Sequence, residues 1–127
     1  MVRFQSGKED IVDELRFLRK GEGFTPMRYI DLIVLPDLLG GRERNFHLTK
    51  AFFVEAIQAL PGKQLQESLL VAFGLAQGYT DFDTICERRK KYGQQIGRKY
   101  DTLRHREDIA LEQLASILLK GKRYGAW

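Results

Sequence analysis

The sequence predicts an all-α fold: a multi-helix bundle that carries a C-terminal helix-turn-helix. Three observations support this. Apolar residues recur every three or four positions through most of the chain. Ser, Thr, Pro and Gly fall where helices would start and stop. No two alternating runs are joined by hairpin turn chemistry, and there is no internal repeat.

In chain order, Ser6 and Glu9 have capping-box spacing, so a first helix is expected over 7–20. Its inward stripe is Ile11, Val12, Leu15 and Leu18, and Gly21 and Gly23 stop it. Thr25 and Pro26 have the chemistry of a helix start, so a second helix is expected from there to about Leu35, ended by Pro36. The following "GGRERN" reads as an exposed loop. "HLTKAFFVEAIQAL" predicts a third helix with Leu48, Phe52, Phe53, Ala56, Ile57 and Leu60 inward, closed by Pro61 and Gly62. "KQLQESLLVAFGLAQG" predicts its antiparallel partner, with Leu65, Leu69, Leu70, Phe73 and Ala76 inward.

Beyond Gly78, Thr80 is expected to cap a helix whose first turn holds Asp81 and Asp83, acids that complement the helix dipole. After Gly97 a last helix is expected from about Tyr100 to Leu119, with Leu103, Ala110, Leu111, Leu114, Ile117 and Leu118 inward. The tail "KGKRYGAW" is Gly-punctuated and basic, and Trp127 is expected to dock at a place the sequence does not specify. This divides the chain into a supporting bundle (1–78), a helix-turn-helix segment packed on it (79–120) and a basic tail (121–127).

Composition narrows the class. With 127 residues, 43% hydrophobic and 30% charged, the chain suits one globular domain. The apolar run "YIDLIVLPDLL" is broken by Asp31, Pro36 and Asp37, so no membrane segment is expected, and the start lacks the apolar core of a signal peptide. A cytoplasmic protein is the expectation. Cys86 is the single cysteine and reads as a small buried hydrophobe. His47 and His105 have no companions at metal-ligand spacing, and the paired glycines of "LLGGRER" lack the Lys-Ser/Thr of a phosphate-cradling loop. No catalytic residue, metal or cofactor is expected.

Charge is unevenly spread. Residues 1–85 hold ten Lys/Arg against twelve Asp/Glu, whereas residues 86–127 hold eleven against five, so the net +4 belongs to the last third. That asymmetry suits a polyanion-binding segment on a near-neutral scaffold. Two crossing helices need a turn glycine, a small residue where they meet and apolar residues on the facing sides. Around Gly97 these are Ile96, Gly93, Tyr92 and Leu103. Arg98 and Arg106 stand where apolar residues are usual, and the stem of Arg106 can pack while its head reaches solvent.

Arg88 and Arg89, then Gly97, then Thr102 and Leu103, then "REDIALEQLA" from Arg106 to Ala115 together resemble the small helix-turn-helix regulators of the actinobacterial type. "LRFLRKGEGFTP" and "LLVAFGL" resemble the helical part that accompanies that motif. Lys99 stands where such proteins often place a capping Ser. The resemblance implies a regulator of transcription that binds double-stranded DNA, with the helix after Gly97 in the major groove. Base edges would then be read by Lys99, Tyr100, Asp101, Arg104 and His105, Arg104 being suited to a bidentate contact with guanine. Arg88, Lys90, Lys91, Arg98 and Thr102 would contact phosphate. A homodimer joined through the acidic-to-neutral bundle is the expected assembly. The alternative keeps the fold and replaces DNA with a protein partner.

Overall fold

Helix α1, Lys8–Arg19, buries the predicted stripe of Ile11, Val12, Leu15 and Leu18, each side chain contributing about 1.5–3 kcal/mol of transfer free energy. The computed structural model describes residues 7–40 and 45–123, and these form helices without a strand. Gly7 is the residue that precedes α1; Ser6, part of "GGRERN" and Trp127 lie outside the described residues.

The single helix expected over 25–35 is two short ones, α2 (Pro26–Tyr29) and α3 (Val34–Leu38). A continuous helix would drive the ring of Pro36 into the carbonyl of Leu32, so the chain bends and Pro36 falls in the first turn of α3, where it needs no N–H partner. The start of α3 is capped from outside. The Glu14 carboxylate of α1 accepts from the amides of Ile33, Val34 and Leu35 at 2.8–3.0 Å.

Helices α4 (Phe46–Gln58) and α5 (Lys63–Ala72) pack on each other across the turn at Pro61 and Gly62. Asn45 caps α4 by accepting from the His47 amide at 2.8 Å. Leu48, expected inward, is about half exposed. Through the centre Phe24 stacks on Phe53, ring centroids 4.4 Å apart, and Phe73 meets Phe53 edge to face at 5.0 Å.

The loops after α1 and α5 meet. Phe24 N donates to Phe73 O at 2.9 Å, and a Cβ on Gly23, at φ +85°, would lie 2.2 Å from that carbonyl oxygen. Only glycine fits this approach.

Helix α6 is Ile85–Ile96, beginning four residues later than expected, because Thr84 rather than Thr80 caps it. Thr84 Oγ1 accepts from the Glu87 amide at 3.2 Å and donates to the Glu87 carboxylate at 3.0 Å, while Asp81 and Asp83 precede the helix. Helix α7, Tyr100–Arg123, runs past the expected Leu119. Its stripe Ala110, Leu111, Leu114, Ala115 and Leu118 joins α1, α3, α4 and α5 in the main core. Leu103, one end of α7, belongs instead to a smaller core with Val71, Tyr79 and Tyr92 that seats α6. No described helix is long and apolar enough to cross a membrane.

Candidate nucleic-acid interface

Gly97 takes φ 66°, ψ 41°, the left-handed conformation that ends α6 and turns the chain into α7. The Gly97 and Arg98 amides both bond to the Gly93 carbonyl. A Cβ on Gly93 would lie 2.7 Å from the Arg98 carbonyl oxygen and 3.2 Å from Leu103 Cδ1. The backbone of Arg98, not its side chain, therefore fills the space beside α6, which explains how an arginine is tolerated there. Gly93→Ala is expected to force the two helices apart and lower stability by about 1–3 kcal/mol, measured by urea denaturation. A loss below about 0.3 kcal/mol would show that the contact is slack.

The paired arginines do not face solvent. Arg88 has 0% exposure, and all five of its N–H groups are used. Nε and Nη2 donate to Ala72 O at 3.2 and 2.8 Å, Nη2 also to Arg19 O at 2.9 Å, and Nη1 to Gly21 O and Phe82 O at 2.8 and 2.9 Å. Ala72 and Arg19 are the last residues of α5 and α1, so the guanidinium sits where two helices leave their final carbonyls unsatisfied and their dipoles are negative. Burial pushes the Arg88 pKa down from its ordinary value, partly offset by Glu107. Arg88 is thus withdrawn from the predicted phosphate contacts, since no phosphate reaches a side chain so enclosed.

Arg89 meets Glu107 in a two-pronged ion pair, Nε to Oε2 at 2.8 Å and Nη2 to Oε1 at 2.5 Å. Arg19 adds a third bond to Glu107 Oε1 at 3.0 Å and lies 3.2 Å from Asp108. Burial opposes the charge on Arg89, but Glu107 more than reverses this and raises the Arg89 pKa above its ordinary value. The remaining Arg89 donor, Nη1, reaches the Tyr100 hydroxyl at 2.7 Å, and that hydroxyl is 3.4 Å from Cys86 Sγ. Glu107, only 2% exposed, is the hub that joins α1, α6 and α7. Neither Glu107 nor Arg19 is among the predicted site residues. The signal was present: Glu107 lies four residues after Leu103 and three before Ala110, a charge on the buried stripe of α7.

The other predicted contacts separate into two groups. Lys90, Arg98, Lys99, Asp101, Thr102, Arg104 and His105 are exposed. Lys91 is half-buried, its Nζ donating to Gly78 O at 2.7 Å and lying 4.7 Å from the Tyr79 ring centroid. Tyr100 is partly exposed, with its hydroxyl engaged by Arg89. Cys86, expected to be buried, is exposed. It lines a groove of about 580 Å³ together with Lys90, Gly93, Gln94, Arg98 and Lys99. Asp101 and Arg104 lie outside this groove's lining, exposed in the first two turns of α7.

Below the groove, α6 is held to α5 by the Tyr92 hydroxyl, which donates to Glu67 Oε1 at 2.9 Å, while Tyr79 bonds to Gln95. Burial, then the bond to Glu67, pushes the Tyr92 pKa up to about 12. A folded-state pKa above the unfolded value of about 10 gives stability that is full below pH 10 and lost as pH rises toward 12. Stability should therefore fall over that window, and less steeply in Tyr92→Phe. Identical alkaline slopes for the two proteins would refute the assignment.

In comparisons with known proteins, no family model, no curated protein and no solved structure matches the chain.

Proposed function

We propose that α6 and α7 act as a helix-turn-helix and that the chain is a DNA-binding regulator. The carrying observation is the set of exposed cations Lys90, Arg98 and Lys99 that share one groove with Gly97, with Arg104 exposed on the second turn of α7, where Leu103 is the buried residue between 99 and 105. In this reading the start of α7 enters the major groove. Lys90, Arg98 and Lys99 hold phosphates, with Thr102 as a further hydroxyl donor, and Lys91, committed to Gly78, is secondary. Arg104 has the free fork that guanine recognition needs, and Asp101 and His105 flank it.

A site selected from random duplexes tests base reading. Arg104→Ala should reduce preference for that site by about 1–3 kcal/mol and leave random DNA nearly unaffected. Equal loss on both would make Arg104 a phosphate contact.

A second reading, a protein-interaction module, draws on the outermost line of α7. Asp101, His105, Ile109 and Glu112 recur there at helical spacing, are all exposed, and include two acids and an aliphatic side chain. In that case binding to DNA would be absent, and substitution of Ile109 would weaken capture of the protein partner.

A further inference from the structure

We infer that the outer face of α1, with the α2–α3 segment beside it, docks a second copy of this chain in an antiparallel, two-fold arrangement. The inference is independent of the DNA reading. Phe17, Met27 and Ile33 are 43%, 82% and 73% exposed, and Ile30 is 66% exposed. Two contacts hold the α2–α3 segment beside this side of α1. Arg28 lies 4.6 Å over the Phe17 ring and donates to Phe17 O at 2.6 Å, and the Ile33 amide bonds to Glu14, one turn before Phe17. Isolated exposed apolar residues are ordinary, but a cluster rimmed by charge marks an interaction surface.

The rim points to the occupant. Along the exposed side of α1 run Glu9, Asp10 and Asp13, then Arg16, and Lys20 just beyond the helix. None of these five has an ion pair with a described residue. The order also suits the α1 dipole, which accounts for the charges but not for the apolar cluster beside them. A face that is acidic at one end, basic at the other and apolar alongside is complementary to itself when turned end for end. A two-fold axis near the middle of α1 sets Asp13 opposite Arg16 of the second copy, and Glu9 and Asp10 opposite its Lys20. Each pair then occurs twice, as an isologous interface requires.

Sedimentation equilibrium of the full chain tests it. The native protein should show twice its 14.7 kDa mass, with dissociation favoured by salt. Asp13→Arg alone and Arg16→Asp alone should each weaken the dimer by about tenfold or more, since each sets like charges opposite one another twice. The two variants mixed in equal amounts should form a heterodimer, and a chain carrying both changes should recover the homodimer. Recovery on mixing shows that each variant still folds. Met27→Glu should dissociate the dimer as well. A native chain that stays monomeric at millimolar concentration overturns the proposal, as does a dimer that the single charge reversals leave intact.

Discussion

Replacing Glu107 with Gln is expected to cost about 3–5 kcal/mol of folding stability, the usual loss when a buried ion pair is left with one partner. Here the loss falls on two guanidiniums, because Arg19 and Arg89 both use the same carboxylate. The stability of a domain is about 5–15 kcal/mol, so this one atom-for-atom change removes about a fifth or more of it. Urea denaturation measures the loss, and a cost under about 1 kcal/mol would mean that Arg89 finds water or another acceptor. Arg89→Met in the Glu107→Gln background should cost less than its effect in the native protein, since the buried cation is removed together with its counter-charge. The hub makes the start of α7 rigid, because Arg89 also orients Tyr100 in the first turn. A weakened hub should therefore blur whatever the surface around Gly97 recognises.

Arg88→Met should cost at least about 3 kcal/mol. It retains the apolar stem but leaves the carbonyls of Arg19, Gly21, Ala72 and Phe82 without this donor, and each unsatisfied buried group costs about 1–3 kcal/mol. Arg88→Lys should recover only part of the loss, since an ammonium keeps the charge but lacks the planar five-donor fork. Hydrogen exchange at the Phe24 amide, bonded to Phe73 O beside Arg88, should speed up in both variants. Equal stability of Arg88→Lys and the native protein would reduce the role of Arg88 to its charge at the two helix ends.

These two arginines mark where sequence reasoning stops. Periodicity sufficed for α1, α4 and the inward stripe of α7, because their apolar faces are local patterns, but α5 ends at Ala72 instead of running on to Gly78, because the chain turns at Gly74 with φ +69°. The turn was also legible: Gly97 takes the left-handed conformation and Gly93 meets Leu103, since helix crossing demands small and apolar residues at fixed offsets. The α2–α3 break was hidden because α3 is capped by Glu14, about twenty residues upstream. Thr80 and Thr84 are equally good caps by type, and only the later one, beyond the buried Tyr79, meets the Glu87 amide that starts α6. "ERRKK" reads locally as a solvated basic run. Its first two arginines are buried because the groups that compensate them, two helix C-termini and Glu107, lie 16 to 69 residues away.

That burial changes the electrostatic case for a polyanion partner. Of eleven Lys and Arg from residue 86 onward, Arg88 and Arg89 are interior and Lys91 is committed to Gly78. The exposed cations near the turn are Lys90, Arg98, Lys99 and Arg104, a small set whose number can be counted in solution.

The most direct measurement is the affinity of the native chain for random duplex DNA as a function of salt. Three phosphate contacts, from Lys90, Arg98 and Lys99, give a slope of log K against log salt of about −2.7, and replacing Lys90 and Lys99 by Glu should flatten it by about 1.8. No salt-dependent binding at low ionic strength, or a slope unchanged by those two substitutions, would contradict a DNA interface at the α6–α7 turn.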